Sequence, residues 1–236
     1  MKKLILTTFI ISFCVSSIFA QESQNVDLQP ENINSGTERF VLFIEEEGNV
    51  KQFISFLERN TKVGEELIQV SQKYYNPDGS VNFDSSVVHK KDLSPRYYFA
   101  EVQSNEITEE YVFSEHRIEG KKEEDKGSEI IDEDFGYKDV YNSVIENEIL
   151  NALNFDALRV QTLATYNPGK GKAEITYKKI GEEELMLGGR KINTLKIELT
   201  GGGLPATYWL SKSTNEVLLL RADFPNGSSF WKRKVI

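Results

Sequence analysis

Lys191 to Phe224 reads KINTLKIELTGGGLPATYWLSKSTNEVLLLRADF. Three runs rich in aliphatic, aromatic and β-branched residues, Lys191 to Thr200, Ala206 to Leu210 and Val217 to Phe224, are parted by Gly201-Gly202-Gly203 and by Ser213-Thr214-Asn215. Short β-prone runs punctuated by turn residues are the mark of antiparallel strands joined in sequence. Pro225-Asn226-Gly227 marks one more turn before a last run, Ser229 to Val235.

The same grammar extends towards the N-terminus. Arg39 to Glu45 and Val50 to Glu58 flank a Glu46-Glu47-Gly48-Asn49 loop, and Leu67 to Tyr75 runs into Asn76-Pro77-Asp78-Gly79 before Val81 to His89 returns. Further strands are expected at Tyr97 to Gln103, Glu110 to Ile118, Arg159 to Tyr166 and Ala173 to Ile180, with turns at Asn167-Pro168-Gly169 and Gly188-Gly189. One stretch departs from the pattern. Ser143 opens a capping box with Glu146, and Val144, Ile145, Ile149, Leu150 and Leu153 recur at helical spacing, which predicts a short amphipathic helix from Ser143 to Leu153. The expected fold is mainly β (α+β), a single curved antiparallel meander sheet or half-barrel wrapping that one helix.

Alternation along the strands predicts burial. Ala173, Ile175 and Tyr177 oppose Glu174, Thr176 and Lys178, so that strand has one wet face. Phe40-Val41-Leu42-Phe43-Ile44 and Phe53-Ile54-Ser55-Phe56-Leu57 are apolar on both faces, which predicts cover on both sides, from the helix or a loop, or from an apolar cavity. Phe43 and Phe56 from these strands, with Tyr208, Trp209 and Trp231 from the C-terminal ones, are the candidate ligand-lining residues. Aromatics on neighbouring strands also serve as ordinary cross-strand pairs.

The first twenty residues have the parts of a secretory signal peptide: Lys2 and Lys3, an apolar run from Leu4 to Val15, and Ala20 before Gln21. Thr7, Thr8, Ser12, Ser16 and Ser17 interrupt the run, which is shorter than the ~20 apolar residues of a membrane span. The expectation is export, to the periplasm or beyond the cell, after cleavage near Ala20, and no integral membrane segment. Residues 21–37 are polar and aperiodic and are read as a flexible lead-in, and 38–236 as a single β-rich domain.

Cleavage shapes the remaining chemistry. Cys14 is the chain's single cysteine and lies in the leader, so thiol nucleophiles, disulfides and Cys-based metal sites are excluded from the mature chain. Loss of Lys2 and Lys3 takes the formal net charge from −9 to −11, a field that repels nucleic acid. His89 and His116 stand outside any metal-ligand spacing, no G-x-S-x-G elbow occurs, and Gly169-Lys170-Gly171-Lys172 lacks the spacing of a phosphate loop. Asn76-Pro77-Asp78-Gly79 is explained by a β-turn. No catalytic residue, metal or cofactor is assigned.

Ile180 to Ile192, the run Leu195-Lys196-Ile197-Glu198-Leu199 and the hairpin Tyr208-Trp209-Leu210-Ser211-Lys212-Ser213-Thr214-Asn215-Glu216-Val217-Leu218 resemble a family of exported bacterial domains of unknown function. In that family a hairpin of pattern W-x-D-x-x-T-G-x-x-L closes the sheet. Here Ser211 and Asn215 stand where the pattern has Asp and Gly. Asp84 to Pro95, Tyr97 to Ala100 and the helix end Leu150-Asn151-Ala152-Leu153 follow the family's order of elements, so the resemblance spans Glu38 to Ile236. The family is similar in fold to lipoprotein carriers of the LolA type, open half-barrels around a short helix, and supplies no catalytic residues. The leading expectation is an exported non-enzymatic binding domain for a lipid or other apolar ligand, held on the helix side of the sheet. A structural or adaptor module that binds an envelope protein, and a glycan-acting hydrolase with paired carboxylates, stand beside it as alternatives.

Overall fold

The structure is a computed structural model and describes residues 26–46, 51–114, 116–125, 127–134, 140–167, 171–201 and 203–236. The expected leader, the start of the lead-in, Glu47-Gly48-Asn49 and Pro168-Gly169-Lys170 lie outside the described residues. The chain runs through β1 (Gly36–Glu45), β2 (Lys51–Val63), β3 (Leu67–Tyr75), β4 (Val81–His89), β5 (Pro95–Val102), β6 (Ile107–Phe113), β7 (Arg117–Glu124) and β8 (Gly127–Asp134). A short β9 (Val140–Asn142) leads through a 3₁₀ turn, Ser143–Ile145, into α1 (Glu146–Ala152). Then follow β10 (Val160–Asn167), β11 (Gly171–Leu187), β12 (Arg190–Thr200), β13 (Ala206–Ser211), β14 (Val217–Asp223) and β15 (Ser229–Lys234).

Among the described residues these fifteen strands form one unclosed sheet. Its order runs from β8 down to β1, across to β15, and on down to β9, so the first and last strands meet in its middle, Phe40 opposite Lys234. Each wing is a meander, as the turn residues predict. The pair β9 and β10 is parallel, which makes the sheet mixed rather than purely antiparallel.

The sheet is strongly curved, as contacts between distant strands show. Tyr111 and Phe113 of β6 pack edge-on against Tyr166 of β10, ring centroids 6.4 and 6.2 Å apart, although many strands separate them in the sheet. Asn142 Nδ2 of β9 donates to Ser86 Oγ of β4 at 3.0 Å. The wings therefore face one another, and α1 lies between them.

Two kinds of burial hold α1. Ile145, Ile149, Leu150 and Leu153 are wholly buried in an apolar cluster with Ile68, Val70, Leu163, Ile197 and Leu210, each such side chain contributing about 1.5–3 kcal/mol on transfer from water. The first helical turn meets a polar layer instead. Glu146 accepts hydrogen bonds from Tyr177 Oη at 3.1 Å and from Tyr208 Oη. Asn147 Oδ1 accepts from Lys232 Nζ at 2.8 Å. Glu148 pairs with Arg59 and also accepts from Thr61 Oγ1 at 2.8 Å. Arg59 donates onward to Gln72, whose Nε2 lies 2.9 Å from Asp84 Oδ1.

Several expectations are corrected here. The capping box does not form: Asn142 accepts from the backbone N–H of Val144 and caps the 3₁₀ turn, while Glu146 is drawn to the two tyrosines. The lead-in is not free from Val26 onward, because Leu28 bridges Leu153, Gln29 N–H donates to the Ala152 carbonyl at 2.7 Å, and Ile33 is buried. The strand expected from Glu110 to Ile118 divides into β6 and β7 around a turn that holds His116. Nor are the N-terminal strands covered on both sides. Phe40, Leu42 and Leu57 are buried towards the helix, but Phe53 on the other face is 47% exposed, because no element among the described residues packs over it. Gly201 takes φ +86°, and a Cβ there would sit 2.0 Å from the Glu174 carbonyl oxygen, which explains the glycine at the end of β12.

Removing one partner of a buried ion pair leaves an uncompensated charge and costs about 3–5 kcal/mol. Glu148→Gln is expected to lower stability by that amount in urea unfolding, and the double change Arg59→Met with Glu148→Leu to recover most of it; a Glu148→Gln loss under 1 kcal/mol would contradict this. Titration of the same layer gives a second expectation. Burial lifts the Asp84 carboxyl to about 6, against the Gln72 hydrogen bonds and the Arg59 charge that favour its ionised form. The folded chain thus holds a proton at Asp84 between about pH 4 and 6 that the unfolded chain has released, so this contribution to stability falls as pH rises through that window. Burial and the Arg59 charge lower Lys232 to about 8, and its contribution rises with pH from there towards its ordinary range. Asp84→Asn is therefore expected to gain about 3 kcal/mol relative to the natural chain between pH 4 and 7, read from urea midpoints; a difference constant with pH would be the contrary result.

Candidate functional site

Residues opposed across neighbouring strands point to the same face of a sheet. Register pairs Phe53 with Phe43, Phe43 with Trp231 and Trp231 with Arg221, and one row over it pairs Phe56 with Val41, Val41 with Arg233, Arg233 with Leu219 and Leu219 with Trp209. All of these lie on the outer face, away from α1. A β-bulge at Leu42/Phe43 leaves Ile54 unmatched and keeps Phe43 and Phe53 in step.

A cleft of about 170 Å³ opens on this face. Phe43, Trp231 and Leu219 form its floor, Leu185, Met186 and Leu187 at the end of β11 form a wall, and Glu45, Lys51 and Arg233 stand at its rim. Phe43 and Trp231 stack with centroids 6.1 Å apart and planes 9° from parallel. Lys51 Nζ lies 5.2 Å from the Phe43 ring centroid and Arg221 Cζ 5.2 Å from that of Trp231, so cations flank the stack at both ends. The Trp231 indole N–H is buried with no acceptor among the described residues, so the ring is held through its faces. Arg233 Nη2 lies 3.4 Å from the Met186 carbonyl oxygen and joins floor to wall. Met186 is 54% exposed at the mouth.

The five sequence-predicted residues are separated by the fold. Phe43 and Trp231 line the cleft. Phe56 shares their face one strand away and packs at 6.2 Å against Tyr75, outside the lining. Trp209 shares the face too, but its ring lies 5.2 Å from Lys196 Nζ and its indole N–H donates to Glu183. Tyr208, its chain neighbour, points the other way, is buried beneath α1 and is spent on Glu146. Burial and the Glu146 charge raise its phenol well above the ordinary range.

The space under α1, expected to accept an apolar ligand, is thus occupied by the charged side chains and tyrosines that hold the helix. Leu185 to Leu187, Lys51 and Arg233 are not among the sequence candidates. The strand expected from Ala173 to Ile180 runs on to Leu187, and Leu185-Met186-Leu187 immediately before the Gly188-Gly189 turn carries the signal of that extension to the hairpin tip. Among the described residues no three His, Cys, Asp or Glu side chains lie together as metal ligands, and no helix is long and apolar enough to cross a membrane.

A family model described as a protein of unknown function (DUF3108) matches residues 55–231. No curated protein matches. Among solved structures, the crystal structure of the hypothetical lipoprotein YmcC from Escherichia coli (K12) aligns with 98% of this chain and 98% of that chain, at 12% identity and a TM-score of 0.32.

In a Trp209→Phe chain, Trp231 is the sole tryptophan. Adding Phe43→Ala is expected to red-shift its emission and to cost roughly 1–2 kcal/mol, the worth of a half-exposed aromatic pair; an unchanged spectrum would show that the stack does not exist in solution.

Proposed function

The chain belongs to the DUF3108 family, and on that premise we propose that it is an exported, non-enzymatic binding domain whose outer cleft holds an apolar ligand, a segment of the acyl chain of a lipid. The observation that carries the reading is the stacked, incompletely covered pair Phe43 and Trp231, set between aliphatic side chains and two rim cations. Apolar surface left open to water favours occupation by an apolar group at about 25 cal/mol per Å² removed from water. Lys51 and Arg233 beside Glu45 favour a ligand whose apolar part ends in a negative group. The volume is below the range of a pocket that encloses a whole drug-sized molecule, so the cleft grips one stretch of chain and leaves the rest outside. Glu45 is the sole carboxylate among the cleft's described lining residues, whereas paired-carboxylate glycoside hydrolysis needs two.

The test uses the Trp209→Phe chain and a fatty acid brominated along its acyl chain, added below its micelle concentration. Bromine against Trp231 is expected to quench its emission saturably. Met186→Glu, at an exposed position, is expected to weaken the effect at least tenfold with an unchanged unfolding midpoint. An amphiphile of the same chain length with a cationic head is expected to bind less tightly. Absence of saturable quenching would end the proposal.

A further inference from the structure

The outer edge of β8 is a second surface, remote in the sheet order from the cleft and independent of it. β8 is a terminal strand of the sheet, so along one side its backbone N–H and C=O groups have no strand partner among the described residues. Its register with β7 is unbroken from Arg117 opposite Asp134 to Glu124 opposite Gly127. Natural edges are commonly protected by proline, charged side chains, a bulge or shortness. β8 is eight residues long, GSEIIDED, without proline or bulge, and the protection it has is charge of one sign. Its far end is engaged, where Lys172 Nζ donates to the Asp134 carbonyl at 2.5 Å, and Ile131 packs against the buried cluster of Tyr111 and Tyr166. Ile130 is 72% exposed, the highest value among the large apolar residues that stand open.

The charges on this edge have one sign. β8 carries Glu129, Asp132, Glu133 and Asp134 and no lysine or arginine. Arg117 of β7 neutralises Asp132 at 2.5 Å. Glu129, Ile131 and Glu133 alternate along one face of the strand, and Ser128, Ile130 and Asp132 along the other. A second copy of β8 laid against this edge would bring carboxylates against carboxylates, which disfavours self-pairing. The same charges favour a strand of opposite sign.

We propose that the β8 edge is a docking site for an extended, cationic segment of another protein, added to the sheet as a further strand. Backbone hydrogen bonds supply affinity in this mode and alternate side chains supply selection. Opposite Glu129, Ile131 and Glu133 the segment places a basic, an apolar and a basic residue. Opposite Ile130 it places a second apolar residue, and opposite the already paired Asp132 a small neutral one. Read antiparallel to β8, the core is Lys-Thr-Val-Val-Lys. The charge contribution weakens with salt, because every carboxylate concerned is exposed.

The experiment uses the full chain at low ionic strength and a synthetic peptide with this core, flanked by threonines. Hydrogen exchange of the amides from Gly127 to Glu133 is expected to slow at least fivefold with the peptide present, and the amides of the cleft strands to keep their rates. A peptide with glutamate in place of both lysines, and one N-methylated at alternate residues along the pairing edge, are each expected to bind at least tenfold more weakly. Glu129→Lys with Glu133→Lys, both at exposed positions, is expected to abolish protection by the lysine peptide and to confer it on the glutamate peptide, with unchanged circular dichroism. Equal binding of the N-methylated peptide would reduce the contact to charge attraction and overturn strand addition. Unchanged exchange from Gly127 to Glu133 would overturn the site altogether, and would leave the acyl-chain reading of the cleft untouched.

Discussion

Three consecutive residues, Glu146, Asn147 and Glu148, tie the helix to both wings of the sheet. Glu148 reaches Arg59 and Thr61 on β2, Asn147 reaches Lys232 on β15, and Glu146 reaches Tyr177 on β11 and Tyr208 on β13. A helix of one polar and one apolar face normally turns the polar one to water. Here both faces are enclosed, so the polar groups of the first turn depend on protein partners. The fold supplies them for both carboxylates and for Asn147 Oδ1 from strands far apart in the sequence, while Asn147 Nδ2 is buried with no partner among the described residues, and the curvature of the sheet follows from having to reach one short helix from two directions. Buried charge of this kind is costly in isolation, and its partners' positions are correspondingly restricted.

That constraint determines which face of the sheet stays open. Arg59, Lys232, Tyr177 and Tyr208 are committed to polar partners beneath α1, so the inner face around the first helical turn is polar. The central strands are nonetheless apolar on both sides. Their second side carries Phe43, Phe53 and Trp231 partly open to water, with Leu219 buried beside them, and among the described residues the end of β11 shelters it. The cleft is what that partial shelter leaves open.

Strands framed by strong turn residues were legible residue for residue: Leu67 to Tyr75 and Val81 to His89 coincide with β3 and β4, because Asn76-Pro77-Asp78-Gly79 fixes the inner ends and unbroken pairing carries the register out to Leu67 opposite His89. β7 and β8 were not, since their charged, exposed residues have no apolar alternation to read, and their strand character comes from pairing with β6 and with each other. The helix was legible through its apolar spacing, whereas the use of Glu146 depends on tyrosines more than thirty and sixty residues away. Two of the five candidate lining residues reached the cleft. Alternation orders the residues of one strand, but which face becomes a cleft is decided by whichever element folds over it, and the β11 tip is set by tertiary packing.

The meeting of β1 and β15 in the middle of the sheet has a kinetic consequence. Most neighbouring strands are also neighbours in the chain, so each wing assembles by closing short loops. The seam instead joins Phe40 to Lys234 across 194 positions, and closure entropy grows with the length of the loop being closed. Long-range pairings of this kind slow folding. The two meanders are therefore expected to form before the seam that unites them, and until it forms the central strands keep unpaired edges open. For a chain of this topology, the interval before the last strand docks is the one in which mispairing with other molecules competes with folding.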